Sequence, residues 1–430
     1  CSTARLWNRE VKAVPALGGI GLIPIRQRFD GAALADVRQA VMAQVLDPDI
    51  ACRVHPGDRV AVGVGSRGIC QMDIILAALL EGLKQLGAKP FLVPAMGSHG
   101  GATPRGQRDV LAGYGITEQS MGVPLDDSMD TMFLGRTGDG APVHFSQTAL
   151  QADWVLPVNR VKAHTDFSGP IESGLAKMLT IGFGKERGCT ALHLCGTDRF
   201  DRLIPQACGL VLSKVRVPFG LAIVENAYDR TALVRAVKGE TLLQEEELLL
   251  AQAKALMPGL PFRDIDVLIV EQFGKDVSGA GMDPNVTGRR STGPIPGFRG
   301  PSIRQIVVLE LTERSHGNAI AINAADFITR AFFDRIDLDA TYKNSLACCN
   351  PASAKIPLIA RDEEQALAFA LACCRDLDPV APRIVRIQST LALERLLVSP
   401  ALAEQARELP FVEFPEEESP CAQHQPICEI

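Results

Sequence analysis

The chain has 430 residues, 47% of them hydrophobic and 22% charged, with a formal net charge of −6. That length exceeds what one hydrophobic core usually supports, so two domains are expected, and the composition excludes a disordered or fibrous protein. The acidic balance, without any Lys/Arg block, excludes a general nucleic-acid surface, and no apolar run reaches the length of a membrane span.

Aromatics are scarce at 5%, while Gly, Ala, Val, Leu and Ile are plentiful, a balance that suits parallel α/β layers covered on both faces. An early strand at 20–25 precedes an amphipathic helix at 33–46. Residues 58–65 (DRVAVGVG) form a β-rich apolar run. Gly65 to Gly68 then turn, and 72–86 has helical period, ended by Gly87 as a C′ glycine. The next strand, 89–95, leads into a second glycine-rich loop, 96–104, where Thr103 and Pro104 supply the N-cap and N1 of a helix through Val110. Residues 153–158 (DWVLPV) read as a buried strand, 220–224 as another, and 242–256 as a helix. The Pro/Gly-rich run 257–261 is the linker. A second βα series follows, with strands at 266–270, 305–311, 319–322, 356–360 and 384–387, and helices at 363–374 and 392–397. The expected fold class is α/β: two domains with mostly parallel sheets, residues 1–257 and 262–413, with the active site in the cleft between them. The stretch 414–430 is expected to be an acidic, disordered tail.

The twelve cysteines show no CxxC spacing, so they form no zinc or haem motif. Pairs such as Cys348-Cys349 and Cys373-Cys374 read as buried small hydrophobes in a reducing compartment, which makes the cytoplasm the expected location. The chain opens on Cys1-Ser2, so a processed lipoprotein is the alternative.

Chemistry is concentrated between Arg160 and His193 (RVKAHTDFSGPIESGLAKMLTIGFGKERGCTALH). Two histidines, a Ser-Gly turn and several lysines follow directly on a buried strand, as in an active-site loop at a strand's carboxyl end; a solvated basic loop is the bland alternative. Three polar loops follow three strands of the first domain, and in a parallel sheet all three open at one edge. The first spells Gly63-Val64-Gly65-Ser66-Arg67-Gly68, a GxGxxG between strand and helix. No carboxylate ends the next strand, which argues against dinucleotide binding; Arg67 instead puts a fixed cation where an anion can bind. His99 and His164 lie on the other two loops. Paired imidazoles on neighbouring strand ends suit acid/base work at neutral pH, and inversion at a hydroxyl-bearing carbon needs one group on each face.

At these residues the sequence resembles the lactate racemase family, enzymes built around a nickel-pincer nucleotide. In that family a strand-end arginine loop is followed by a Gly-x-His loop, a histidine beside a Ser-Gly turn, a lysine and a second histidine. Here these are Arg67, Gly97-Ser98-His99, His164 with Ser168-Gly169, Lys177 and His193. Past the linker, Gln272 and Lys275 stand where the family carries a Gln and a Lys three apart, so the resemblance covers most of residues 15–400. The chain departs from the pattern at Asp166-Phe167-Ser168-Gly169-Pro170, which replaces Gly-Phe-Ser-Gly-Gly and sits farther from the lysine. It departs again at Gly100-Gly101, where Arg-Pro is common, and at Ser66, where an aspartate is common.

The resemblance implies a racemase or epimerase of a small 2-hydroxy acid. Lys177 would tether the cofactor, with Lys185 as a competing lysine. Ser66, Arg67, Gly68, Ser168, Gly169, Gln272 and Lys275 would contact the cofactor, and His193 would be the nickel ligand. His99 and His164 would exchange the hydroxyl proton while the α-hydrogen moves as hydride to the pincer ring and returns to either face. No nucleic acid or membrane partner is implied, and a homo-oligomer is compatible with the reading. Three alternatives stand beside it: another nucleotide-using enzyme on this scaffold, a non-catalytic carrier of a nickel cofactor, and a protein-made metal site from Cys189, His193 and Cys195.

Overall fold

The computed structural model describes residues 21–66 and 68–415. The described residues form two compact units: 30–257, and 258–415 together with 21–29. The first described strand, β1 (Ile23–Gln27), belongs to the second unit, because it pairs antiparallel with a strand at Arg395–Val398. The expected first domain therefore begins near residue 30. The expected strand residue Ile20 and the tail from 416 onward lie outside the described residues.

The unit from Asp30 to Met257 is built on a five-stranded sheet. Its strands are β2 (Arg59–Val64), β3 (Lys89–Pro94), β6 (Trp154–Arg160), β7 (Phe219–Glu225) and β8 (Thr231–Lys238); β4 (Thr131–Arg136) and β5 (Pro142–Ser146) form a separate hairpin. The order is β3-β2-β6-β7-β8, all parallel except β8, which returns antiparallel to β7. Side chains alternate faces along each strand. Val60, Val62 and Val64 of β2 pack with the helices α1 (Val37–Val45) and α2 (Met72–Gln85). Ala61 of β2 and Phe91 and Val93 of β3 face the opposite core, beneath Phe183 and the helices α3 (Phe200–Leu212) and α4 (Leu242–Leu256). A Cβ on Gly63 would come within 2.3 Å of the Phe183 ring. The first glycine of the GxGxxG thus makes room for packing, and helix α2 starts only at Met72, beyond the glycine loop.

The second unit carries an eight-stranded sheet. It comprises β9 (Asp264–Phe273), β10 (Ser302–Leu311), β11 (Phe327–Thr329), β12 (Leu358–Ala360), β13 (Ile384–Ile387), β14 (Arg395–Val398), β15 (Val412–Glu413) and β1. The order β12-β11-β10-β9-β13 is parallel; β14, β1 and β15 continue it antiparallel.

Several expectations are corrected here. Residues 319–322 are not a strand: Ala321 has φ 67°, which breaks extension, and Ile322–Ala324 form a short 3₁₀ turn before β11. Residues 392–397 are not a helix. Leu396 and Val398 alternate into the core of a strand held by β13 and β1, so pairing overrides local propensity. Cys348, Cys349 and Cys373 are exposed because they sit at helix ends, and of the two pairs only Cys374 is buried. Among the described residues, no helix is long and apolar enough to cross a membrane.

Candidate active site

Because β3, β2 and β6 are parallel neighbours, the loops after them open at one edge of the sheet. The loop after β3 is fixed from below. Gly97, at φ 61°, lies so close to Cys189 that a Cβ there would meet its sulfur at 3.2 Å, and Gln107 Nε2 donates to the Gly97 and His99 carbonyls at 2.9 and 3.2 Å. Thr103 caps the helix Pro104–Gly113 by accepting from Gly106 N–H at 3.1 Å. This anchoring presents His99 at the exposed tip, where its Nδ1 makes a short hydrogen bond with Ser66 Oγ of the neighbouring loop. Ser66 is held in turn by Tyr114, whose hydroxyl donates to the Ser66 carbonyl at 2.9 Å. Gly68 is exposed in the same loop; Arg67 lies outside the described residues.

The loop after β6 runs from 163 to 173 and is closed at its neck by paired backbone hydrogen bonds between Lys162 and Ser173, at 2.9 and 3.2 Å. The His164 ring lies 4.5 Å from the Phe167 ring, and its Nδ1 accepts the Asp166 N–H at 3.1 Å. In the neutral imidazole that acceptor role places the hydrogen on Nε2. The Asp166 carboxylate lies 4.0 Å from the same Nδ1, ready to meet a proton there. Ser168 Oγ and Gly169 N–H both donate to Glu172, at 3.1 Å each.

Lys177 ends the short helix Leu175–Lys177. A π-type turn, Met178–Gly182, follows, closed by Phe183 N–H on the Met178 carbonyl at 2.8 Å. The backbone then turns at Lys185, φ 54°, into the helix Lys185–His193. Chain reversal thus brings His193 back under the influence of Lys177, whose positive charge acts on the imidazole. His193 Nδ1 lies 2.7 Å from the Cys189 carbonyl oxygen. A carbonyl only accepts, so Nδ1 carries the hydrogen and Nε2 keeps a bare lone pair. Burial lowers the His193 pKa, but the Cys189 side chain outweighs it and the net shift is upward; in the thiol the same contact overcomes burial and the net shift is downward.

These pieces form one connected array. Ser98 Oγ lies 3.7 Å from Cys189 Sγ, Cys189 lies against His193, the His193 ring meets Phe200 edge-on at 5.1 Å, and Phe200 meets Phe167, whose ring lies tilted against His164. Lys185, the competing lysine, is fully buried, with Nζ donating to the Pro94 carbonyl at 2.7 Å; burial pushes its pKa down to about 8. Cys195 Sγ points to the Ala191 carbonyl at 3.4 Å, and among the described residues no three His, Cys, Asp or Glu side chains gather as a metal site.

In the second unit, Gln272 and Lys275 sit at the carboxyl end of β9. Gln272 is exposed and its N–H donates to the Gln388 carbonyl at 2.8 Å. Lys275 N–H donates to Ser315 Oγ at 2.8 Å, and its Nζ donates to the Gly279 carbonyl at 2.7 Å.

The sequence reading missed two carboxylates. Glu172 gathers the donors of the His164 loop, and Glu246 on α4 accepts Ala176 N–H at 2.9 Å at the start of the Lys177 helix. Glu172 has a faint signal, a lone acid between Pro170 and the apolar run that holds Lys177. Glu246 has none, since it stands between two other acids in a run of Glu and Leu.

A mostly parallel sheet with polar loops gathered at one carboxyl edge defines an α/β protein with a strand-end site. Residues 31–199 match the family model described as the lactate racemase N-terminal domain. The solved lactate racemase apoprotein from Thermoanaerobacterium thermosaccharolyticum is similar at a TM-score of 0.52 and 13% identity, over 87% of this chain and 99% of its own, which establishes the fold. A protein from Thermotoga maritima aligns at a TM-score of 0.48 and 12% identity, over 83% and 96%. No functionally curated protein matches the sequence.

Proposed function

We propose that the chain is a nickel-pincer nucleotide-dependent racemase or epimerase that inverts the α-carbon of a 2-hydroxy acid. The observation that carries the reading is the connected array of His99, His164 and His193 at one sheet edge, reached from three different segments. The donor chemistry fits the group. His193 in its neutral form offers a bare Nε2, the lone pair a nickel ligand needs, and Lys177 acts on the same ring electrostatically. The buried ammonium of Lys185 supports Lys177 as the tether. When bound, the nickel-pincer nucleotide supplies an acceptor and donor of hydride.

The chain's own residues would do the rest. His99, oriented by Ser66, and His164, oriented through Asp166, would take and return the hydroxyl proton on opposite faces of the carbon. Arg67 would bind the carboxylate or the cofactor phosphate, with Ser66 and Gly68 lining it. Such a protein belongs in a reducing compartment such as the cytoplasm.

The test uses cofactor-loaded protein and a 2-hydroxy acid carrying deuterium at the α-carbon. Hydride chemistry keeps the label in the inverted product. Loss of the label to solvent points instead to proton abstraction and overturns the mechanism, even with nickel bound.

A further inference from the structure

The carboxylate of Glu172 is 1% exposed and sits at the centre of the loop that bears His164. One oxygen accepts the His164 N–H at 2.7 Å; the other accepts Ser168 Oγ and Gly169 N–H at 3.1 Å and Lys254 Nζ at 2.5 Å. Three of these four donors belong to the loop, and the fourth comes from the last turn of α4. The neck between Lys162 and Ser173 closes just beside Glu172, and Asn159 Nδ2 ties Gly174 at 2.8 Å. The loop thus has a closed frame and a charged centre. Without the carboxylate, two backbone N–H groups, a hydroxyl and an ammonium lose their acceptor, a large penalty for part-buried donors.

We infer that Glu172 is the positioning residue of His164: it sets the backbone from which the imidazole projects, and Lys254 serves as its counter-ion. The inference rests on the proposed function for what His164 does, but not for how it is held. It also reassigns Ser168 and Gly169. Their donors point at Glu172, so they act on the site by fixing this loop, where the family resemblance implies contact with the cofactor. The chain-specific run Asp166-Phe167-Ser168-Gly169-Pro170 is therefore a self-contained His164 mount: Phe167 packs the ring, Asp166 meets Nδ1, and Ser168-Gly169 bind the central carboxylate.

The test has two readouts. In the cofactor-free chain, hydrogen exchange of residues 163–173 should be at least about tenfold faster in Glu172→Gln than in the parent, with the sheet strands unchanged. In the cofactor-loaded enzyme each enantiomer is offered separately and the 2-oxo acid formed in the first half-reaction is trapped. Complete turnover needs both histidines, whereas this half-reaction needs only one. The rate from the hand served by His164 should fall about 10²-fold, as for a misplaced catalytic group, with little change in KM, while the other hand is kept. Lys254→Met removes a partner outside the loop and should move both readouts the same way to a smaller extent, which covers a Glu172→Gln chain that does not fold. Unchanged loop exchange in both variants, or equal loss of both hands, overturns the inference. A parent enzyme that handles neither hand, together with faster loop exchange in the variants, sinks the proposed function and leaves the mount standing.

Discussion

Glu246 gives the most quantitative handle on how the Lys177 helix is held. Its carboxyl is buried, one oxygen accepts Ala176 N–H, and the other has no hydrogen-bonding partner among the described protein atoms. Burial pushes its pKa up from 4.5 to about 7, against the backbone N–H groups of Ala176 and Leu175 that pull it down. An acid raised in this way binds its proton more tightly in the folded chain than in the unfolded one. The associated stability is fully present below pH 4.5 and is lost as pH rises through 7. At 1.36 kcal/mol per pKa unit, the shift corresponds to about 3 kcal/mol, most of it falling between pH 5 and 8. With an m-value of about 3 kcal/mol/M, that loss lowers the urea midpoint by about 1 M. Glu246→Gln keeps an acceptor for Ala176 and removes the charge, so its midpoint should be nearly level over the same range and exceed the parent's at pH 8. The chain has two tryptophans, and in a Trp7→Phe background Trp154 fluorescence reports the unit that holds Glu246. If parent and variant midpoints fall in parallel from pH 5 to 8, the carboxyl is not raised and the reasoning fails.

Lys185→Met should behave in the opposite sense. Its ammonium, lowered by burial to about 8, makes the folded chain bind fewer protons than the unfolded one between pH 8 and 10.5, so parent stability rises across that window. The variant should gain up to about 2 kcal/mol at pH 7, after loss of one hydrogen bond, and by urea melts the gain should vanish before pH 10.5 and become a small loss there; a uniform loss at every pH contradicts it. Protein made together with the cofactor-synthesis enzymes should carry about one nickel per chain by elemental analysis, since the one imidazole His193 would hold one nickel, and His193→Ala should lose most of it. Zinc retained through Cys189 would contradict that assignment. His99→Ala and His164→Ala should each cut racemisation by roughly 10²–10⁴ while leaving nickel content unchanged; full activity in either variant removes that histidine from the mechanism.

Apolar runs around β2, β3, β6 and β9 were legible because each is a parallel strand buried on both faces. The strands that were misread lie where pairing decides: β14 is a strand because β13 and β1 flank it, and β11 begins after a left-handed Ala321 that composition does not announce. In the candidate site, His99 and His164 stood out because glycine-rich loops give a histidine little reason to be there. What holds them did not. Glu172 and Lys254 are 82 positions apart, and their ion pair exists only once α4 has packed beside the loop. The hydrogen bond that sets the His193 tautomer is likewise to a main-chain carbonyl one helical turn back, and a backbone atom has no sequence signature.

The place of β1 has a consequence for how this chain is made. The register sets Ile23 against Val398, so the strand leaves the ribosome long before its partner exists. At about 5–20 residues per second, the wait is on the order of tens of seconds. Meanwhile the whole of Asp30–Met257 emerges with its sheet partners close behind one another and can fold as an insert. The alternating Ile23 and Ile25 remain unpaired through that interval, an apolar ribbon with free edge groups on both sides. A fragment cut at Pro258 inherits the mirror-image problem: β14 becomes an open edge, and β15 loses the strand it pairs with. Dissection of the second unit therefore calls for a permuted gene in which the segment through Phe29 is fused after residue 415.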